Sequence, residues 1–306
     1  MSLTDQLSGL MLPVTTPFTA TDDLDVSGLT ANLEKWNTTG INGYVILGST
    51  GERVHLSEDE YVKVIEATRK VVSSDRAFIV GAGQQSTRGT IDEVKKASSL
   101  GADAVLVLTP YFYKNAITHD TLVAHYTAIA DSSPVPVLLY SMPALTGIKI
   151  EPRTIASLST HENIMGVKDS SADVEELRAT VELAKGSRDF SVLTGNGTVF
   201  CDAILAGAVG GILAVGCVAN ELCLTILEVL KKGDEERAQK LQEKLTPLAQ
   251  AVTTRFGIGG LKAALDFIGY EGGGVRAPLR LPNDEARAEI TQLLLDLRRL
   301  SHILTD

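Results

Sequence analysis

One lysine, Lys168, has a sequence setting that points directly to chemistry. It lies in the run IMGVKDS (164–170), which has the composition of a strand buried on both faces. Because a buried ammonium is costly to desolvate, such a lysine is expected to have a lowered pKa and to supply the free amine of a Schiff base. The alternative is a lysine at a strand end that reaches solvent or pairs with Asp169.

Two further groups could act on the same substrate. Tyr140 ends the apolar run VPVLLY, and a phenol beside an amine suits proton transfer at a carbonyl, although a core tyrosine with a satisfied hydroxyl is the other interpretation. The segment GSTG (48–51) offers the hydroxyls of Ser49 and Thr50 and backbone amides near a predicted helix. These groups would suit a carboxylate, whereas the alternative is an ordinary turn between a strand and a helix.

These residues need a scaffold that gathers the ends of several strands. Eight short apolar runs, roughly 20 to 35 residues apart, alternate with amphipathic stretches. The pattern predicts an α/β fold, a (β/α)8 TIM barrel with active residues at the carboxyl ends of its strands, and a doubly wound open sheet is the alternative. The eight runs are 10–18, 43–49, 77–83, 103–110, 135–143, 164–170, 190–197 and 210–216.

Helix signals fill the intervals and continue beyond the last run. Helix starts are expected at Ser57, which forms a capping-box pattern with Glu60, at Ser86 or Thr87, and at Asp173. We expect a barrel domain over residues 1–220 and a C-terminal helical extension over 221–306. Helical stretches in this extension are expected at about 221–254, 258–269 and 284–303.

Composition excludes several classes of protein. With 306 residues, 44% of them hydrophobic, and a net charge of −10, the chain can bury a core and would repel nucleic acid. The uncharged stretch 203–220 contains four glycines, which favours a buried strand over a membrane span. The N-terminus has no signal-peptide pattern, so we expect a cytoplasmic protein without a membrane partner, or a mitochondrial one if the sequence is a mature form.

Cysteine and histidine usage argues against a metal or disulfide framework. Cys201, Cys217 and Cys223 lack CxxC spacing and are expected to be small core residues. The five histidines form no HxH or HxxxH pair, and neither GxGxxG nor a P-loop sequence occurs. We therefore expect no metal, nucleotide or other separate cofactor.

Four segments together resemble a known enzyme family: GSTGE (48–52), TPYFY (109–113), YSMPALTG (140–147) and GVKDSS (166–171). The resemblance is to the pyruvate-dependent class I aldolases, which include dihydrodipicolinate synthase, N-acetylneuraminate lyase and 4-hydroxy-2-oxoglutarate aldolase. It extends over roughly residues 8–280. It implies a TIM barrel with C-terminal helices, usually assembled as a homotetramer, that works through a covalent imine.

The resemblance also implies a role for each candidate residue. Lys168 would form the imine with pyruvate or another 2-oxo acid, and Tyr140 would carry protons to and from the substrate. Ser49 and Thr50 would hold the carboxylate of the 2-oxo acid. Two further substrate-binding residues are expected to be Ser170 and Asn196, at the ends of the sixth and seventh runs.

Departures from the family pattern bear on the substrate. Leu145 stands where dihydrodipicolinate synthases usually have an arginine for a carboxylate, and leucine cannot replace a guanidinium. Tyr111 resembles a relay residue that reaches a neighbouring subunit, while Phe112 lacks the hydroxyl of the relay tyrosine, a loss for which Tyr113 could compensate. The Pro-Ala-Leu sequence resembles sialic acid lyases, but their acidic pair at the seventh strand is replaced by Gly-Asn-Gly (195–197).

The fit to 4-hydroxy-2-oxoglutarate aldolase extends to residues 251–279, outside the candidate site. We therefore expect cleavage of 4-hydroxy-2-oxoglutarate to pyruvate and glyoxylate. Alternatives are the same chemistry on a 2-keto-3-deoxy sugar acid or a hydroxyalkylpyruvate, and a condensation like that of dihydrodipicolinate synthase. A non-enzymatic alternative is a sensor that binds a 2-oxo acid.

Overall fold

Eight parallel strands close into a barrel, in which each strand pairs with its neighbours in chain order and β8 pairs with β1. The computed structural model describes residues 2–187 and 189–304, with side chains up to residue 299. The prediction of a TIM barrel is confirmed, and the closed ring excludes a doubly wound open sheet. The strands are β1 Leu10–Pro13, β2 Gly43–Ile46, β3 Ala77–Ala82, β4 Ala104–Leu108, β5 Val137–Ser141, β6 Ile164–Asp169, β7 Ser191–Thr194 and β8 Gly210–Ile212.

Helices follow the strands, and their predicted starts are confirmed. Ser57 and Glu60 form a complete capping box, and the side chains of Ser86 and Asp173 each accept a backbone N–H at a helix start. The helices are α1 Leu3–Leu7, α2 Val26–Trp36, α3 Glu58–Val71, α4 Thr87–Ser99, α5 His119–Ser132, α6 Pro143–Thr146, α7 Pro152–Leu158, α8 Val174–Ala184, α9 Phe200–Leu205, α10 Gly216–Lys231, α11 Glu235–Gln250, α12 Gly257–Phe267 and α13 Asp284–Leu304.

The core has two layers, one on each side of the strands. An inner cluster, which includes Met11, Ile79 and Leu138, is separate from the larger cluster formed with the helices. The strands therefore read as continuous apolar runs, because both of their faces are covered. All three cysteines are buried, as predicted.

The strands are shorter than the apolar runs because the runs continue past the last hydrogen-bonded pair. β2, for example, ends at Ile46, and residues 47–52 turn away from the sheet. Residues 203–220 contain the end of α9, the short strand β8 and the start of α10. Within residues 2–187 and 189–304, no helix is both long and apolar enough to cross a membrane.

The C-terminal region joins the barrel through α10. This helix packs against β1, and the indole of Trp36 on α2 donates to the carbonyl of Cys217 over 3.1 Å. The expected boundary between residues 220 and 221 falls inside α10, just beyond a kink at Ala219. The single stretch predicted over 221–254 was wrong, because Gly233 adopts a positive φ of 78° and ends α10 before Asp234 caps α11.

His125 on α5 is a histidine buried within the helical layer. Its Nδ1 and the hydroxyl of Thr87 share a hydrogen bond of 2.9 Å, and its ring meets Tyr126 edge-on. Its Nε2 is buried without a hydrogen-bond partner among the described residues. Burial lowers the pKa of His125 to about 4, since the charged ring would lose its hydration.

This burial predicts an acid-sensitive contribution to stability. The unfolded chain, with a histidine pKa of 6.5, binds more protons than the native state between about pH 6.5 and 4. The contribution is therefore complete above pH 6.5 and is lost as the pH falls to about 4, with a loss of about 2 kcal/mol between pH 7.5 and 5. Urea unfolding at both pH values should show a correspondingly smaller loss for His125→Gln, whereas identical losses would contradict this assignment.

Candidate active site

Lys168 and Tyr140 lie side by side in the barrel. They are paired in register on β6 and β5, and the Nζ atom of Lys168 lies 4.4 Å from the centroid of the Tyr140 ring. Only 4% of the lysine and 3% of the tyrosine is exposed. The lysine therefore does not reach outer solvent, and its nitrogen is held beside a phenol in a largely dry environment.

The neighbouring carboxylate is engaged elsewhere. Asp169 accepts hydrogen bonds from the backbone N–H of Ser171 over 2.8 Å and from its hydroxyl over 3.1 Å. Burial raises the pKa of Asp169, although the bonds from Ser171 act in the opposite direction. Because successive residues of a strand point to opposite faces, Asp169 and Lys168 diverge, and pairing between them is not the arrangement observed.

The loop after β2 reaches the phenol. Ser49 Oγ and Tyr140 Oη share a hydrogen bond of 2.9 Å. Thr50 follows in the same turn and is 7% exposed. The structure thus brings together an amine, a phenol and the first hydroxyl of the GSTG segment, with the second hydroxyl adjacent in the chain.

Sequence reasoning missed the part played by Gly195, at the end of β7. A Cβ atom at this position would lie 1.9 Å from Ser170 Oγ and 2.7 Å from Lys168 Cε. A side chain there would displace both residues, so the glycine creates the space that the lysine occupies. The sequence signal was a glycine at the end of a strand. Our interpretation of this segment considered only its neighbour Asn196.

The remaining candidates have identifiable structural contacts. Asn196 caps the turn Gly197–Val199, where its side-chain oxygen accepts from the N–H and hydroxyl of Thr198 over 2.9 and 2.7 Å. Tyr111 and Phe112 donate their backbone N–H groups to the side-chain oxygen of Gln85. The substrate contact of Asn196 and the relay through Tyr111 stay predictions.

A second buried lysine lies below the GSTG turn. Lys262 on α12 is fully buried and donates to Glu52 over 2.6 Å. Burial lowers the pKa of Lys262, although the charge of Glu52 acts to raise it. Sequence reasoning did not consider this pair, because 210 residues separate its two members.

The arrangement around Lys168 can perform nucleophilic chemistry on a carbonyl compound. A buried amine can condense with a ketone, and an adjacent phenol can exchange protons with the adduct. The two neighbouring hydroxyls can donate to an oxygen-rich group on the same molecule. Across the described ranges 2–187 and 189–304, no three His, Cys, Asp or Glu side chains are grouped to hold a metal ion.

Comparison with known proteins gives a consistent family match. Residues 6–297 match the dihydrodipicolinate synthetase family. The chain is also 35% identical to the 4-hydroxy-tetrahydrodipicolinate synthase of Methanosphaerula palustris, over 94% of this chain and 97% of that protein. The similarity therefore covers the barrel and most of the C-terminal helices.

Solved structures show the same fold. A monomeric dihydrodipicolinate synthase variant superposes with a TM-score of 0.91 at 30% identity, over 97% of this chain and 98% of that one. YagE, a prophage protein of the dihydrodipicolinic acid synthase family from E. coli K12 solved with pyruvate, gives a TM-score of 0.88 at 29% identity, over 95% and 98% of the two chains.

Proposed function

This chain belongs to the dihydrodipicolinate synthetase family of carbon–carbon lyases, and we propose that its reaction proceeds through an imine on Lys168. The observation that carries the proposal is the buried Lys168 amine beside the Tyr140 phenol. A hydrogen bond joins that phenol to Ser49. It connects the proton-transfer group to the hydroxyls of Ser49 and Thr50, which form the proposed binding site for the substrate carboxylate, hereafter the carboxylate seat. The pyruvate complex of YagE supports a 2-oxo acid as the substrate class.

The proposed reaction begins with addition of the Lys168 amine to the C2 carbonyl of the substrate. Loss of water from the carbinolamine leaves an iminium ion, while Ser49 and Thr50 hold the C1 carboxylate by hydrogen bonds. Tyr140 gives its phenolic proton to the hydroxyl that leaves as water, and the resulting phenolate then accepts the proton of the C4 hydroxyl. The C3–C4 bond breaks, and its electron pair moves through C2 onto the imine nitrogen to give an enamine and a free aldehyde.

The second half of the reaction returns the proton. Tyr140 protonates C3 of the enamine, which regenerates the iminium ion. Water then adds to C2 and gives one proton to the Tyr140 phenolate, and the carbinolamine collapses to pyruvate and the free Lys168 amine. Tyr140 thus takes a proton from one atom and delivers it to another, a role that fits its position over the lysine. No metal, nucleotide or other added group takes part in this proposed sequence.

We propose 4-hydroxy-2-oxoglutarate as the substrate, with glyoxylate as the aldehyde released. Leu145 stands where a carboxylate-binding arginine would be, and its side chain is 65% exposed. A cation lies nearby, because the Nζ atom of Lys114 would be 2.6 Å from a Cβ built on Gly147. This ammonium could receive the second carboxylate of a 2-oxo dicarboxylic acid.

A second candidate is the condensation that forms 4-hydroxy-tetrahydrodipicolinate. It is supported by the similarity to the 4-hydroxy-tetrahydrodipicolinate synthase of Methanosphaerula palustris. Both reactions use the same imine, and they differ in the group that must be recognised at the mouth of the barrel. Leu145 is the residue that favours the first reaction, since a neutral side chain cannot make bidentate hydrogen bonds to a carboxylate.

Assembly is part of the proposal, and we infer a cytoplasmic homotetramer. Four apolar side chains in the segments that follow β2, β4 and β5 are at least 65% exposed, and apolar side chains gathered on one face are typical of a surface that contacts another chain. These are Val54, Phe112, Tyr113 and Leu145. Sedimentation equilibrium at micromolar concentration should give four times the 32.6 kDa chain mass, and a monomer would contradict the inferred assembly.

Borohydride trapping with pyruvate tests the imine directly. Peptide mass mapping of the reduced protein should place the adduct on Lys168, and Lys168→Ala should give neither adduct nor turnover. Tyr140→Phe should still form the adduct but lose about 10²–10⁴-fold in kcat, because it lacks the acid–base group. An adduct on another lysine, or no adduct on the wild-type protein, would overturn the aldolase proposal; in the second case non-covalent 2-oxo acid binding, as in a sensor, would be left.

A substrate panel separates the two reactions and the sugar-acid alternative. We expect kcat/KM for pyruvate release from 4-hydroxy-2-oxoglutarate to exceed, by about tenfold or more, the values for 2-keto-3-deoxy sugar acids and for formation of 4-hydroxy-tetrahydrodipicolinate. Lys114→Met should lower that value about tenfold while pyruvate trapping is unchanged, since pyruvate lacks a second carboxylate. Lys240→Met, which removes an exposed lysine on α11, is the matched control. A higher kcat/KM for either competing reaction would show that 4-hydroxy-2-oxoglutarate is not the preferred substrate.

A further inference from the structure

Two opposite charges are buried together between the barrel and the C-terminal helices. The side chains of Glu52 and Lys262 are 1% and 0% exposed, and Lys262 Nζ lies 2.6 Å from Glu52 Oε1. Taking both charges out of water is costly, and a well-packed apolar pair would often serve stability as well. The position of the pair relative to the proposed site therefore invites a functional explanation.

Every hydrogen-bonding direction of the Lys262 ammonium is used. Besides Glu52, it donates to the carbonyl of Thr16 over 2.7 Å and to that of Gly274 over 2.5 Å. The ammonium also lies 4.5 Å from the centroid of the Phe18 ring. One side chain of α12 thus fixes the segment after β1, the turn after β2 and the chain that follows α12.

Both oxygens of the Glu52 carboxylate also have polar partners. Its second carboxylate oxygen accepts the backbone N–H of Arg276 over 3.1 Å and lies 3.1 Å from His55 Nδ1. Its backbone has a φ of 54°, a left-handed conformation that is unfavourable for a residue other than glycine. The buried contacts of the carboxylate compensate for this conformation, and they fix where the GSTG turn ends.

The fixed residue is directly bonded to the proposed carboxylate seat. The N–H of Glu52 donates to the carbonyl of Ser49 over 3.2 Å, and the hydroxyl of Thr16 donates to the carbonyl of Gly51 over 2.7 Å. Ser49 in turn reaches the Tyr140 phenol. A continuous set of bonds therefore runs from α12 through Glu52 to the hydroxyl nearest the reacting groups.

We propose that Glu52 and Lys262 are positioning residues for the Ser49–Thr50 seat, so that α12 forms part of the 2-oxo acid binding site. This inference rests on the proposed function, because it assumes that the seat binds the C1 carboxylate. Among the hydrogen bonds of the described residues, none joins this pair to the Lys168 amine or the Tyr140 phenol. Its loss should therefore weaken recognition of the carboxylate without removing the ability of Lys168 to form an imine.

The experiment compares pyruvate with methyl pyruvate, which has the same ketone but no free carboxylate. The ketone concentration at half-maximal borohydride trapping of Lys168 is measured for wild type, Glu52→Gln, Lys262→Met and the double variant. We expect the pyruvate concentration at half-maximal trapping to rise about tenfold or more, which is the effect of losing one well-placed hydrogen bond to a charged group. The corresponding concentration of methyl pyruvate should change less than about threefold. Glu236→Gln with Lys240→Met, an exposed pair on α11, is the control.

The double variant distinguishes positioning from a purely structural role. It leaves neither buried charge unpaired, so its melting temperature should lie closer to that of wild type than those of the single variants. We expect its pyruvate concentration at half-maximal trapping to stay above that of wild type. Recovery of wild-type pyruvate trapping in the double variant, or equal rises for pyruvate and methyl pyruvate, would overturn the inference while wild-type trapping still upheld the aldolase. No adduct on wild type with either ketone would overturn both.

Discussion

The burial of the Lys168 amine against the Tyr140 phenol is the constraint on which the rest of the site depends. A lysine nitrogen has to be kept from bulk water while remaining able to meet a substrate. Register between β5 and β6 places the two side chains at the same height, and Gly195 on the next strand leaves the space that the lysine needs. The closed barrel keeps these three strands in fixed relation, which a loop could not do.

The same geometry explains why so many elements contribute to a small site. β5, β6 and β7 carry the phenol, the amine and the glycine, and the loop after β2 crosses to the phenol through Ser49. That loop ends at Glu52, whose buried partner belongs to α12. The C-terminal helices therefore hold the GSTG turn in place in addition to packing against the barrel wall.

Much of the fold was predictable from local patterns. Eight apolar runs and caps such as the Ser57 and Glu60 box specify strands and helix starts through neighbouring residues alone, and they agree with the structure. Strand ends were less predictable, because apolar residues continue into the loops that leave the sheet. The break at Gly233 was missed because helical patterns lie on both sides of it, although a glycine followed by the capping Asp234 marks the end of one helix and the start of the next.

The site was predictable only in part, for a physical reason. Lys168, Tyr140 and Ser49 stand at strand ends, where topology alone brings residues together. Gly195 acts by lacking a side chain, so its only signal was a glycine at a strand end, and Glu52 and Lys262 are 210 residues apart, so no local pattern records their pairing. Substrate choice was the least predictable, because the family match does not identify the substrate and the proposed one rests on single side chains such as Leu145.

A crystal structure of the protein soaked in pyruvate is the sharpest test of the proposed imine. We expect continuous electron density from Lys168 Nζ to C2 of pyruvate, with the Tyr140 hydroxyl within hydrogen-bond reach and the carboxylate on Ser49 and Thr50. Pyruvate bound without a covalent link to Lys168, or linked to it with its carboxylate directed away from Ser49, would show that the proposed site is wrong.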